Sequence, residues 1–413
     1  MKRVLLALVA VLAWTGMTAY GAIDGWWLRP IAPTGDTRAF LAAATEIATA
    51  QSKGNIALVL IRQGAVYAEQ YAPSIDPVNA DTRFPLASMS KWFTAYGVLQ
   101  LAQSGRLDLD APVSTYLKQW QLPSGSFDAK QVTIRRLLSH TAGLTDALGF
   151  GDYQPSESLP SLREVLRHPR ASSDSAVAIA VTRAPGGAFQ YSGGGYLILQ
   201  AVVEDVTGQP FATWMQDSVF RPIGMTRASY AYLGSLDNAS RSFDARGDIA
   251  PTYRYVAAGA TGLSASARDL VAFAEAQLRS AKGGDARLRR ETIDRMRQPY
   301  ARKMGVDIWG LGVALYAPTK SGAYVFGHDG SNAPAINTSM RINPDNGDAV
   351  IVLVTGNPKL ASAIGGEWTL WQTGGVDFLS IDRAVRSAIV PWLFGLAAMA
   401  ALWGLRVMRR RDT

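Results

Sequence analysis

From Thr37 to Gln51 apolar and polar residues recur at the spacing of one helical face, and the run gives way to an apolar stretch over 56–61, a turn at Arg62-Gln63-Gly64 and a second stretch over 65–71. This pattern predicts a helix followed by a β-hairpin. The periodicity turns helical again over 91–103 and closes at Ser104-Gly105. A long middle region follows, in which helical pieces are broken by Pro, Gly and Ser clusters. From Trp309 onward short apolar strands return over 311–316, 323–327, 337–342 and 349–355, and a last helix is expected over 360–372. Strands near both ends with helices between them predict an α+β fold: one antiparallel sheet assembled from both termini, flanked by helices, with a helical lobe inserted.

The two ends carry longer apolar runs. Lys2-Arg3 followed by the apolar residues 4–13 reads as the start of a secretory signal, and Ala19-Tyr20-Gly21 before Ala22 supplies small residues at the spacing of a cleavage site. The apolar stretch continues to Ile23, so residues 1–23 are either a signal peptide or an uncleaved signal anchor. Residues 388–407 are long enough to cross about 30 Å of hydrocarbon and carry their one charge, Arg406, at the end. Arg409, Arg410 and Arg411 follow, which puts the tail, 408–413, in the cytoplasm by the positive-inside rule, and Trp392 and Trp403 stand where an aromatic belt would lie. The expected order is thus an exported domain over 31–375, a linker over 376–387 and a transmembrane helix.

Composition narrows the chemistry. The chain of 413 residues is 48% hydrophobic and 18% charged, which suits a globular enzyme. Its net charge of +8 would suit nucleic acid, but part of the excess flanks the apolar ends and acts there as a topology signal, so no nucleic-acid partner is expected. Cysteine is absent, which excludes disulfides, thiolate metal sites and cysteine nucleophiles. The three histidines, His140, His168 and His328, show no metal-binding spacing, and no metal is expected.

Ser88-Met89-Ser90-Lys91 is an S-x-x-K sequence at the start of a helix, with serine and lysine on one helical face. The lysine accepts the serine proton only when neutral, which requires its pKa to fall by about three units from ~10.4. Burial at a positive helix N-terminus beside Trp92 and Phe93 acts in that direction. Alone the motif is weak, since a chain of this length holds about one by chance. It has company in Leu137-Leu138-Ser139-His140-Thr141-Ala142-Gly143-Leu144, in the run from Pro185-Gly186-Gly187 through Gln190-Tyr191-Ser192-Gly193 to Tyr196, in Thr207-Gly208-Gln209-Pro210, in Pro222-Ile223-Gly224-Met225, and in Gly327-His328-Asp329-Gly330-Ser331.

In this order these segments resemble the serine β-lactamase-related family, which includes class C β-lactamases, D-Ala-D-Ala carboxypeptidases, D-aminopeptidases and family VIII carboxylesterases. The resemblance covers about residues 41–358. It implies a β-lactamase/transpeptidase-like fold and an acyl-enzyme on Ser88, with Lys91 and Tyr191 exchanging its proton. Tyr191 matches the tyrosine of Y-x-N, and a neighbouring lysine cation would lower its pKa so that it activates the deacylating water. His328-Asp329-Gly330 stands where the family has K-T-G, and the backbone N–H groups of Ser88 and Ser331 would form the oxyanion hole. No cofactor is implied, because side chains and water suffice. His140 is read as a brace of the fold and His168 as exposed.

Two positions depart from the family pattern. Gly193 stands where Y-x-N has asparagine and offers no side-chain hydrogen bond, and His328, mostly neutral above ~6.5, replaces the fixed cation of K-T-G. Both favour an ester or a small D-amino-acid amide over an anionic β-lactam. The alternatives are a class C-like β-lactamase or D-Ala-D-Ala carboxypeptidase acting on peptidoglycan-type substrates, and a sensor that is acylated without turnover. The tail of six residues past Val407 leaves signalling to a partner protein. A Ser-His-Asp scheme lacks its nucleophile elbow, G-x-S-x-G. The expected location is a bacterial cell envelope, anchored in the inner membrane with the domain outside.

Overall fold

A computed structural model describes residues 2–146, 152–170, 178–283 and 287–408; the arginines beyond Met408 lie outside the described residues. Among the described residues there are ten strands: β1 Ile56–Arg62, β2 Ala65–Ala72, β3 Arg83–Pro85, β4 Ser264–Ser266, β5 Ala301–Lys303, β6 Val306–Trp309, β7 Ala314–Pro318, β8 Tyr324–Asn332, β9 Ile336–Asn343 and β10 Asp348–Val354. Eight of them form one antiparallel sheet in the order β2-β1-β10-β9-β8-β7-β6-β5, while β3 and β4 pair separately. The β1–β10 ladder, with Ile56 opposite Val354 and Ile61 opposite Ala349, joins the two halves of the chain.

The helices are α1 Lys2–Ile23, α2 Thr37–Gln51, α3 Ser90–Gln103, α4 Ile134–Leu138, α5 Leu162–Arg167, α6 Gly193–Thr207, α7 Phe211–Met215, α8 Ala267–Ala281, α9 Arg290–Met296, α10 Leu360–Thr373 and α11 Ile381–Met408. The period of two in β1 divides the core. Ala57, Val59 and Ile61 face the helical lobe, whereas Ile56, Leu58 and Leu60 pack with Phe40 and Ala44 of α2 and Ile364 and Trp368 of α10. Each fully buried Val, Leu or Ile contributes about 1.5–3 kcal/mol, so both faces of this strand stabilise the layered arrangement. Helix α3 is buried all round. Its Trp92, Phe93 and Tyr96 close on Phe273 with ring centroids 5.0, 4.3 and 5.4 Å apart. A helix with no polar face can sit only in the interior, which carries the S-x-x-K segment to the junction of sheet and lobe.

Several expected elements differ in extent. The strand expected over 311–316 begins at Ala314, because Gly312 turns the chain at φ +78° and packs so tightly that an added Cβ would lie 2.1 Å from that of Ala95. The strand expected over 323–327 runs on to Asn332, so His328, Asp329, Gly330 and Ser331 all lie on it. Strands β5 and β6 were not expected: they are short and charged, and Met304 and Gly305, both at positive φ, join them in a tight turn.

The expected linker, 376–387, differs most. Asp377 is buried in the domain, where its carboxylate receives Arg341 Nη1 at 2.6 Å, and α11 already begins at Ile381. Among the described residues, two helical stretches are long and apolar enough to cross a membrane, Val4–Ile23 and Ile381–Gly404.

Candidate active site

Ser88 lies in a single tight turn, Ala87–Met89, that leads directly into α3. Ala87 adopts a φ of +50°, in the left-handed region that a residue with a Cβ rarely enters. Strand β8 holds this turn in place. Gly330 passes so close that a Cβ there would lie 2.2 Å from the Leu86 carbonyl oxygen and 2.5 Å from Thr338 Oγ1, and Thr338 itself donates to that carbonyl at 2.9 Å. Gly330 is therefore a contact glycine that lets the strand reach the serine turn.

Lys91 Nζ is 3.2 Å from Ser88 Oγ and donates to the Ala260 carbonyl at 2.8 Å. The side chain is 1% exposed, and burial lowers its pKa to about 7, with the carboxylate of Asp146 acting in the opposite direction. The loop that supplies the Ala260 carbonyl is pinned from below: Thr94 Oγ1 donates to Gly259 O at 2.7 Å, and Gln200 Oε1 receives Gly259 N–H at 3.0 Å. Burial thus favours the neutral form of the Lys91 amine beside the serine.

The Tyr191 ring lies under the same amine, 5.0 Å from Nζ to centroid. Burial raises the pKa of its phenol well above the ordinary value, and hydrogen bonding to the Ser88 side chain opposes this only in part. The expectation that a lysine cation would lower the tyrosine pKa is corrected here. Lys91 is itself poised to be neutral, and a buried phenol favours its protonated form.

His140 braces Tyr191 from behind. The rings lie 4.3 Å apart at 30°, the His140 carbonyl receives Gln190 N–H at 2.8 Å, and its Nδ1 receives Ser192 N–H at 3.1 Å. Burial and the nearby Lys91 hold its pKa well below 6.5, so the ring is neutral and Nδ1 is an acceptor. Ser192 caps α6 and donates its hydroxyl to Asp146 Oδ1 at 2.6 Å, while Asp146 Oδ2 receives Gly194 N–H at 2.7 Å. Gly193 is the first residue of α6, buried, and brings no side chain to the cleft.

His328 is 3% exposed. Its Nδ1 lies 2.6 Å from the Asp329 carbonyl, and Trp309 meets the ring edge-on at 5.2 Å. Burial and Lys91 lower its pKa to about 4, so it supplies no cation at neutral pH. Nε2 is buried and without a partner among the described residues. Ser331 is exposed beyond it, its hydroxyl 3.3 Å from Pro358 O. Asp329 points to the other face of the sheet, where Tyr316, Ser339 and Arg341 saturate its carboxylate.

Lys91 and Tyr191 therefore meet at Ser88, and β8 closes on the serine turn through Gly330. The beta-lactamase family model matches residues 40–374. The chain belongs to the beta-lactamase family. It is 32% identical over 166 residues to Esterase EstB of Burkholderia gladioli, covering 36% of this chain and 38% of that protein. With Penicillin-binding protein 4 of Amycolatopsis lactamdurans it shares 27% identity over 301 residues, 68% of this chain and 74% of that one. The first three curated relatives are matched over only about a third of their own length. The octameric penicillin-binding protein homologue from Pyrococcus abyssi superposes with a TM-score of 0.64 at 22% identity, covering 79% of this chain and 76% of that one. This likeness makes the fold β-lactamase/transpeptidase-like.

Of the residues the sequence pointed to, Ser88, Lys91, Tyr191, Gly193, His328, Gly330 and Ser331, the structure places Lys91 and Tyr191 against Ser88 and packs Gly330 on the serine turn, whereas Gly193 opens α6 and Ser331 lies exposed farther along β8. The sequence did not point to Asp146, which follows a family-like segment as an ordinary single acid, or to Asn332. Asn332 Nδ2 reaches Tyr255 Oη at 2.8 Å and Thr261 Oγ1 at 3.3 Å, tying the end of β8 to the loop beyond Ala260.

Proposed function

We propose that this protein is a membrane-tethered serine hydrolase that forms an acyl-enzyme on Ser88 and acts on an uncharged ester or a small D-amino-acid amide. The observation that carries this reading is the buried Lys91 amine, 3.2 Å from Ser88 Oγ and lowered to about 7. Neutral Lys91 takes the hydroxyl proton as Ser88 Oγ attacks the carbonyl carbon. The tetrahedral oxygen is received by the backbone N–H groups of Ser88 and Ser331, each worth a few kcal/mol of barrier. Protonated Tyr191 hands its proton to the leaving oxygen or nitrogen and takes one back from the Lys91 ammonium, which holds the proton removed from Ser88. Water then attacks the ester carbonyl and restores Ser88, its proton passing through the same pair.

The uncharged substrate follows from two features of the cleft. His328 is neutral, and Gly193 offers no amide, so neither a substrate carboxylate nor a peptide side chain is specifically matched. A pocket lined by Tyr230, Tyr232, Tyr253 and Tyr255 together with Arg254 reaches Thr261, next to the Ala260 carbonyl that holds Lys91, and would offer an acyl group an aromatic wall. An esterase among the relatives supports the same class. Helix α11 would hold the domain at the outer face of a bacterial inner membrane, in keeping with the penicillin-binding relatives.

The test uses the full-length protein in detergent with a short-chain nitrophenyl ester and, in parallel, a chromogenic cephalosporin, with intact mass read at early times. Ester turnover that vanishes in Ser88→Ala supports the proposal. A stable cephalosporin adduct on Ser88 without turnover of either compound favours the sensor reading, and ester turnover that survives Ser88→Ala overturns the mechanism.

A further inference from the structure

Helix α1 has the composition of a leader, yet it is packed as a structural partner. Its covered positions are Ala7, Val11, Trp14, Thr18, Gly21 and Ala22, at alternating spacings of four and three, which is the seam of a helix lying along another helix. The covered positions of α11 include Ala384, Ala388, Trp392, Gly395 and Met399. The two seams meet. Trp14 Nε1 donates to the Trp392 carbonyl at 3.1 Å, and Trp392 Nε1 donates to Thr15 Oγ1 at 3.0 Å. Gly395 makes room for the Trp14 indole, since a Cβ there would lie 2.1 Å from the ring. Small residues that allow close approach, together with polar groups satisfied across the pair, are how helices associate in hydrocarbon.

The bond that a signal peptidase would cut, Gly21–Ala22, lies under the turn that follows α1. Gly21 and Ala22 are helical and buried. The Gly21 carbonyl receives Trp26 N–H at 2.8 Å, and a Cβ on Gly21 would meet the rings of Trp26 at 2.7 Å and Trp27 at 3.0 Å. Trp27 Nε1 donates back to Thr18 O at 3.1 Å. The bond is thus held in helix under two indoles rather than extended for cleavage. Meanwhile Leu5, Leu6, Leu8 and Leu12 of α1 and Val390 and Phe394 of α11 face outward with more than half of their surface exposed.

We propose that α1 is retained and forms, with α11, an antiparallel two-helix membrane hairpin whose outer face is covered by lipid. This rests on the membrane reading given above. The antiparallel arrangement places Lys2 and Arg3 at the same end of the hairpin as Arg406, which agrees with one cytoplasmic side for both.

The full-length chain, expressed in a bacterium, would be taken from membranes that have been washed with alkaline carbonate, and its intact mass measured. A mass that includes residues 1–21 is expected, whereas a chain beginning at Ala22 but still in the membrane overturns the retained helix and leaves the tether by α11 standing. Release of the chain by carbonate overturns both. Because the chain has no cysteine, paired substitutions report only on each other. A short bis-maleimide should join Thr15→Cys to Trp392→Cys at least tenfold more than the outward pair Leu12→Cys and Phe394→Cys. Equal cross-linking of the two pairs overturns the hairpin.

Discussion

His140 holds Tyr191 from three sides: its ring lies 4.3 Å beneath the phenol, its carbonyl takes the N–H of the preceding residue, and its Nδ1 takes that of the following one. The phenol stays under Lys91 only while this clasp persists. Displacement of a reacting group by about 1 Å can cost 10²-fold in rate. His140→Ala is therefore expected to lower kcat on a nitrophenyl ester by roughly 10–100-fold with KM changed little, because nothing that binds the acyl group is removed. Steady-state kinetics beside a thermal melt checks this. A fall in Tm accompanied by unchanged kcat would show that His140 supports only the fold.

Lys91 links rate and stability to pH in the same direction. Its amine must be neutral to accept the serine proton, so kcat/KM should rise with pH through a midpoint near 7, the value to which burial lowers it. In the unfolded chain a lysine titrates near ~10.4, so between about 7 and 10 the unfolded state binds more protons and stability increases with pH through this group. At pH 7 and below, the folded state carries the cost of burying the amine. Lys91→Met, close in volume and uncharged, should then raise Tm by several degrees at pH 7 while reducing turnover by about 10³-fold or more. A pH–rate profile with its midpoint well above 8, or a Lys91→Met variant that melts earlier, would contradict this account.

The sequence announced those parts of this fold that depend on local pattern. The amphipathic run Thr37–Gln51 and the hairpin from β1 to β2 were legible because their periods of 3.6 and two residues are set by burial on one face or one layer. Ser88, Lys91 and Tyr191 were legible as motif residues. Asp146 was not, because its significance lies in the end of α6, a helix that begins almost fifty positions later. Arg341 likewise reads as an ordinary charged residue at the end of a strand. The direction of the Tyr191 shift could not be read locally either, since it depends on how deeply the surrounding aromatics bury the phenol.

Gly330 tests whether contact between β8 and the serine turn matters. A methyl group at this position would meet the Leu86 carbonyl oxygen at 2.2 Å, and both neighbours are backbone or buried side chain that cannot swing away. Gly330→Ala should push the turn off the strand, destabilise the domain by about 1–3 kcal/mol and abolish acylation. Intact mass after a brief incubation with an activated ester measures the second effect directly. A variant that is acylated at the wild-type rate would show that the turn is positioned by α3 alone.

Arg341 is fully buried between two carboxylates, Asp329 on the strand that carries His328 and Asp377 at the approach to α11. It also donates to Thr369 Oγ1 at 3.0 Å and lies over the Tyr316 ring at 3.7 Å, so its charge and its donors are both answered inside the protein. Removing one partner from such a cluster leaves an uncompensated buried charge, which costs about 3–5 kcal/mol, whereas exchanging a surface pair costs almost nothing. Asp377→Ala should therefore lower the unfolding free energy by about 3–5 kcal/mol. Arg386→Ala, which breaks the exposed contact with Asp382, should leave it within about 0.5 kcal/mol of wild type. Because Asp329 shares the same guanidinium, the Asp377→Ala variant should also loosen β8 and lose ester turnover at temperatures where it is still folded. Denaturant melts and a temperature series of kcat separate the two effects. If Asp377→Ala melts like the wild type, the segment before α11 is a free tether, and the membrane helix and the cleft are mechanically independent.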